Sequence, residues 1–251
     1  MDWLTYQWEG PGFTLFDTPH LIALTLALVF AIIFSITAQR LKHNSGVDLL
    51  VRWVLASLLI ICELAIQIWY IAEGVWDVSF ALPLHISSIT LFVAALLLLR
   101  PKQWLYELTV FVAGWSAVFT LVTPDLSIYG FPHARFFHFF LAHAAMLWAA
   151  VYMFSSCRFQ LKLRSVFRVW GILNGYAAVM FGLNFLTGGN YLYLRKPPAQ
   201  VTPVDWLGDW PYYIFVLQGF ALLLFLLTYA GIRRFQKDFA ESSRNIDTKR
   251  R

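Results

Sequence analysis

Charge is what this chain lacks most. Charged side chains make up 13% of its 251 residues, against roughly 25% in an ordinary soluble domain. That deficit excludes a conventional water-facing surface and points to a bilayer. Cysteine is nearly absent as well. Cys62 and Cys157 are the two, both within or beside apolar stretches, so a disulfide-built scaffold is excluded. Residues 1–20 contain no Lys or Arg. The first apolar run therefore lacks the basic start of a cleavable signal peptide, and it is long enough to span a membrane. No internal repeat of the kind built into many transporters is visible.

What is present is apolar and aromatic. Hydrophobic residues reach 59% and aromatics 18%, with 11 Trp and 23 Phe, a composition suited to interfacial belts. Seven apolar stretches approach the ~20 residues of a helical crossing. They run about 19–38, 49–72, 83–100, 104–123, 134–155, 166–187 and 211–232. They are continuously apolar and too long for barrel strands, which excludes a β-barrel. The expected fold is all-α, a polytopic membrane protein of seven transmembrane helices over residues 1–235. The remaining 236–251 read as a polar, disordered cytoplasmic tail.

Orientation follows from Lys and Arg near the helix ends. One side receives Arg40, Lys42, Arg100, Lys102, Arg158, Lys162 and Arg164, and then the tail. The other side receives the N-terminal segment and the loops 73–82, 124–133 and 188–210, where Arg195 and Lys196 are the cations. This predicts the N-terminus outside and the C-terminus in the cytoplasm. The basic loops suit an anionic inner leaflet, so the expected partners are membrane lipids and not nucleic acid.

The polar residues concentrate toward the outer side. Five of six histidines lie there, His20, His85, His133, His138 and His143, while His43 falls in a cytoplasmic loop. Ser87, Ser88, Asp125, Arg135, Asn184, Asn190, Tyr191 and Lys196 share that level; Glu63, Gln67 and Asn174 lie deeper. Ionisable groups in a bilayer are costly and face the bundle interior, so an outward-opening polar pocket is expected. Glu63 and Gln67 share a face at i, i+4, with Asn174 a candidate partner. His85 lies beside Ser87 and Ser88 in PLHISS, 83–88, and a hydroxyl near a histidine is the minimum for an activated nucleophile. Pro83 suits a first helical turn.

In FPHARFFHFFLAH, 131–143, His138 and His143 are separated by about 140° around a helix. They cannot converge on one ion, so no metal is expected. His143 falls deep enough to need a partner and has the pKa range of a general base. Arg135 and His138 lie at headgroup height and suit a phosphate or carboxylate. Pro124 in TPDL, 123–126, ends the fourth helix, with Asp125 placed to pair with Arg135 or orient a histidine. GGNYLYLRKPP, 188–198, closes the sixth helix at Gly188–Gly189 and places Asn190, Tyr191 and Lys196 on a pocket rim.

LPLHISS, TPDL, the FPH–R–FF–FFLAH helix and GGNYLYLRKPP, in that order, resemble the YwaF family of bacterial integral membrane proteins. That family is grouped with eukaryotic transmembrane proteins similar to acyltransferases that remodel ether phospholipids. The resemblance implies a bacterial plasma-membrane protein without a cofactor. It also implies a helix-borne histidine, here His143, and a nucleophile near the PLH segment. Relatives often show PLHLC; this chain has PLHIS, with Ser87 at that place.

Two functions stay open. One is a phospholipid or fatty-acyl acyltransferase or hydrolase, with His143, Ser87, Ser88 and His85 catalytic and Arg135, His138, Asp125, Asn190, Tyr191, Lys196 and Glu63 holding the substrate. The other is non-catalytic binding or transport of a lipid or small amphiphile. A bland third reading makes the polar groups mere helix-to-helix fasteners.

Overall fold

A computed structural model describes residues 3–41, 44–157, 159–198 and 206–249, with side chains described through Arg234. His43 lies outside the described residues, as do Lys42, Arg158, Arg250 and Arg251. Seven helical segments follow one another. They are α1 (Thr18–Leu41), α2 (Ser45–Ala72), α3 (Ile86–Leu99), α4 (Gln103–Val122), α5 (Ala134–Ser156), α6 (Leu163–Thr187) and α7 (Tyr212–Lys249). No strand occurs among the described residues.

Six of the seven are long and apolar enough to cross a membrane; α3, with 14 residues, is shorter. The expected third span, 83–100, begins too early. Pro83 does not sit in a first helical turn: residues 81–85 stay non-helical, and His85 is the extended N-cap residue at φ −67°, ψ 154°. Clamps from distant tyrosines explain this. Tyr176 donates to the Leu84 carbonyl at 2.7 Å, and the Tyr191 hydroxyl accepts from the Leu82 amide at 3.1 Å while donating to the Val78 carbonyl at 2.7 Å. The carbonyl of Ala81 likewise accepts from Gln67 at 2.8 Å. Backbone groups satisfied this way have no need of a helical turn.

α5 is the hub. In its most apolar window 61% of residues are buried, against 6% in α7. Ala142, Ala144, Ala145, Ala149 and Ala150 line its buried faces, and small residues let neighbouring helices approach closely in a bilayer. α5 packs against α1, α2, α3 and α4, while α7 packs on α6.

Hydrogen bonds set the register. Arg52 of α2 donates to the Leu98 carbonyl of α3 at 2.8 Å. Asp48 of α2 accepts from Tyr152 of α5 at 2.6 Å. The start of α2 thus meets the ends of both α3 and α5, so α2 runs antiparallel to both, and α3 and α5 are parallel. Within α4, Thr109–Ala113 form a π-helical turn. That inserted residue turns the two halves of α4 toward different neighbours: Glu107 meets Arg168 of α6, and Trp115 donates to Thr228 of α7.

The apolar part of α7 is Tyr212–Arg234. The helix continues through the polar residues expected to form a disordered tail, to Lys249. Gly188 ends α6 in the left-handed region at φ 71°, as the sequence predicts. Its neighbour Gly189 has another role. A Cβ there would meet the Ser79 carbonyl oxygen at 2.4 Å, whereas at Gly182 it would meet nothing within 4 Å. Gly189→Ala is expected to lower stability by about 1–3 kcal/mol through overpacking, read as a lower thermal midpoint in detergent, with Gly182→Ala as the unaffected comparison.

Candidate functional site

The histidines separate by what their ring nitrogens do. A carbonyl oxygen only accepts and an amide N–H only donates, so the partners fix the tautomers. His20 is buried; Nδ1 accepts from the Phe16 amide at 2.9 Å, and Nε2 donates to the Leu121 carbonyl at 2.9 Å. His133 is buried at the N-cap of α5. Its Nδ1 accepts from the Arg135 amide at 3.0 Å, and Nε2 donates to the Thr5 carbonyl at 3.0 Å. His138 accepts at Nδ1 from the Arg135 guanidinium at 2.9 Å and donates at Nε2 to the Cys62 carbonyl at 2.7 Å. All three rings are neutral and saturated. His138 therefore faces the bundle and is not free to hold a headgroup, contrary to the sequence expectation. Arg135 is spent partly on His138 and lies 5.6 Å from the Phe139 ring centroid.

His143 differs. Nδ1 donates to the Phe139 carbonyl one turn back at 2.8 Å, and the ring lies 4.4 Å from that of Phe139. Nε2 is left with its lone pair and has no hydrogen bond among the described residues. Neither Glu63 nor Ser87 is its partner. Glu63 is buried and accepts from Gln67 at 3.1 Å, the i, i+4 pair expected. Asn174, expected to join them, donates instead to its own helix at Trp170.

Register brings Ser87 to the depth of His143. Thr90 of α3 donates to the Met146 sulfur of α5 at 3.4 Å, an offset of 56 residues. The helices run parallel, and one turn toward their N-termini the same offset pairs Ser87 with His143. No hydrogen bond joins them, and the hydroxyls of Ser87 and Ser88 have no partner among the described residues.

His85 belongs to a separate aromatic group. Its ring lies 5.2 Å from Tyr191 and 5.6 Å from Tyr193. Tyr193 donates to Asp125 at 2.9 Å, so Asp125 pairs with a tyrosine and not with Arg135. Burial, and then the nearby Asp125 carboxylate, push the Tyr193 phenol up and keep it a donor. Leu192 and Tyr193 both adopt positive φ, 59° and 53°, a strained backbone held in place by its surroundings. Tyr191 is fully buried and holds the 78–82 backbone, so it is a fastener and not a rim residue. Asn190 accepts from the amides of Arg195 and Lys196 at 3.0 and 3.2 Å and so shapes its own loop. Arg195 bonds the Asn184 and Gly189 carbonyls, while Lys196 is exposed.

Two cavities lie among the described residues, and His143, Ser87 and Glu63 line neither. One, about 300 Å3 and apolar, lies beside the π turn against Gly114, Trp115 and Leu147; the other, about 290 Å3, lies among Gln103, Glu107, Lys162, Arg164 and Arg168. Over the α2 and α5 ends lies a cover that hydropathy does not reveal. The Trp3 carbonyl accepts from the Ala134 amide at 2.8 Å, the Tyr6 carbonyl from Tyr129 at 2.9 Å, and the Tyr6 amide donates to Glu73 at 2.8 Å. Trp8, Trp69 and Tyr129 pack around the His133 ring, and Tyr6 packs on Trp69 and Tyr129. Glu107 also escaped the sequence reading. It is buried and accepts from Gln103, Ser165 and Arg168; the i, i+4 pairs Gln103–Glu107 and Arg164–Arg168 were its visible signal. Among the described residues no three His, Cys, Asp or Glu side chains converge as a metal site requires.

Apolar helices of spanning length around an alanine-faced hub, with ring nitrogens bonded to neighbouring backbone carbonyls, define a polytopic α-helical membrane protein. The chain belongs to the TMEM164 family, whose sequence model matches residues 15–229. No curated protein and no solved structure matches.

His133 supplies a pH test of the cover. Burial, the largest influence, holds its pKa below the ordinary histidine value. The unfolded cover therefore binds a proton that the folded one refuses, so the histidine's contribution is present above about pH 6.5 and is lost as pH falls below it. Protection factors for hydrogen exchange at residues 3–9, corrected for the intrinsic pH dependence of exchange, are expected to fall between about pH 7 and 5, and His133→Gln to flatten that response.

Proposed function

We propose that the protein is a lipid acyltransferase or lipid ester hydrolase working from the outer leaflet, with its N-terminus outside and His143 as general base. The observation that carries this reading is the fixed tautomer of His143. Its Nδ1–H is committed to Phe139, so the free lone pair sits on Nε2, at the depth of Ser87. Basic residues gathered in alternate loops support the orientation. The motif resemblance supports placement in a bacterial plasma membrane.

In this reading the His143 Nε2 takes the proton of Ser87 as its Oγ bonds to the ester carbonyl carbon. The ester C–O bond then breaks, the leaving alcohol receives that proton, and an acyl-serine remains. Attack by a second alcohol or by water releases the acyl group and restores the hydroxyl. Ser88, one residue along the same turn, is the alternative nucleophile. Lys196, exposed at the same end, supplies charge for a headgroup, and Arg135 supports the base through the packing of Phe139.

A second reading is favoured by one observation: no hydrogen bond connects Ser87 to His143. Non-catalytic binding of a lipid or amphiphile needs none. Acyl release or exchange from isotope-labelled phospholipid by the purified protein separates the two. His143→Ala is expected to lower the rate by about 10²–10⁴-fold, the usual range for a general base. Ser87→Ala should do the same, with Ser88→Ala milder. Turnover that survives both His143→Ala and Ser87→Ala refutes the catalytic reading; lipid-dependent stabilisation without turnover favours the binding one.

A further inference from the structure

At the opposite end of the bundle from the N-terminal cover, α4 begins and α6 begins. Between them lies the cavity of about 290 Å3, near the lower end of the roughly 300–1,000 Å3 typical of small-molecule sites. Its floor is organised by Glu107. The Glu107 carboxylate accepts from Gln103 and Ser165, each at 2.8 Å, and pairs with Arg168. Gln103 in turn donates to the Gln160 carbonyl at 2.7 Å, and Ser165 accepts from the Lys162 amide at 3.2 Å. These bonds fix the 159–165 backbone against α4.

Charge balance across this cavity is uneven. Lys162, Arg164 and Arg168 line it together with one carboxylate, Glu107. Arg168 and Glu107 offset each other. Lys162 and Arg164 are exposed and have no carboxylate partner among the described residues. The first turn of α6 starts here too, at Leu163. The Ser165 amide bonds back to the Lys162 carbonyl at 2.8 Å, and the helix dipole adds positive potential. Two uncompensated cations, a helix N-terminus and a prearranged guanidinium around a headgroup-sized space match a phosphate.

We infer that the cavity between the starts of α4 and α6 is a phosphate-binding site for an anionic headgroup, with Lys162 and Arg164 as its ligands and Glu107 with Arg168 as its fixed floor. The site is remote from His143 and does not depend on any chemistry there. An anionic phospholipid and a soluble phosphate share this chemistry.

The test uses the full chain in detergent micelles. Native mass spectrometry follows retention of phosphatidic acid and of phosphatidylcholine, with inorganic phosphate as competitor. Wild-type protein is expected to prefer phosphatidic acid at least tenfold. The double variant Lys162→Ala, Arg164→Ala should lose that preference, and Lys162→Arg with Arg164→Lys should restore it. Arg40→Ala with Arg234→Ala, exposed cations that do not line the cavity, should leave it intact. Competition by inorganic phosphate at comparable concentration assigns the site to a soluble ion; its failure assigns the site to a lipid. Equal retention by the wild type and the Lys162/Arg164 alanine variant, or an equal loss in the Arg40/Arg234 variant, overturns the inference.

Discussion

Water is the partner that a buried carbonyl cannot find in hydrocarbon, and so each must be answered from within the protein. In this bundle histidine answers several of them. His20 donates to Leu121, His138 to Cys62, His133 to Thr5 and His143 to Phe139. The first three tie one segment to another across long stretches of sequence. Each such bond also settles where the second ring nitrogen's lone pair points. Helix packing, loop closure and the one free basic nitrogen at His143 all descend from that matching of donors to carbonyls.

Much of the fold was legible because hydropathy reports burial in lipid directly. Six helices of spanning length fall on six of the seven expected stretches. The third was misjudged for a physical reason. Composition cannot tell a helical turn from an extended strand whose carbonyls are taken by Tyr176, Tyr191 and Gln67. The site was less legible. The Thr90–Met146 bond puts Ser87 and His143 in parallel register. Direction around the helix was not legible in the sequence. His138 shares the greasy context of His143, yet one turns toward Cys62 and the other toward Phe139. Asp125 chose Tyr193 over Arg135, and only the strained Leu192–Tyr193 backbone brings that phenol into place.

The two ends of the bundle differ in their polar chemistry. One end joins histidine, tyrosine and backbone, and its charged Asp125, Glu73 and Arg195 bond to a phenol, an amide and carbonyls rather than to one another. The other joins Glu107, Arg168 and Gln103 beneath unmatched cations. The π turn beside Glu107 is what permits α4 to serve both α6 and α7, because an added residue rotates everything after it relative to everything before. A regular helix of the same sequence would have to give up either the Glu107 pair or the Trp115–Thr228 bond.

The cover over α2 and α5 sets a schedule. Thr5 bonds to His133, 128 residues further on, so its segment waits for the chain to reach His133 before it can close. At a synthesis rate of 5–20 residues per second the delay is roughly 6–25 s. Through that interval the amide and carbonyl groups of residues 3–9 must find other partners, and the ends of α2 and α5 beneath them stay uncovered. Assembly therefore passes through a stage in which the interior is accessible from the membrane surface, and docking of the earliest residues is what ends it.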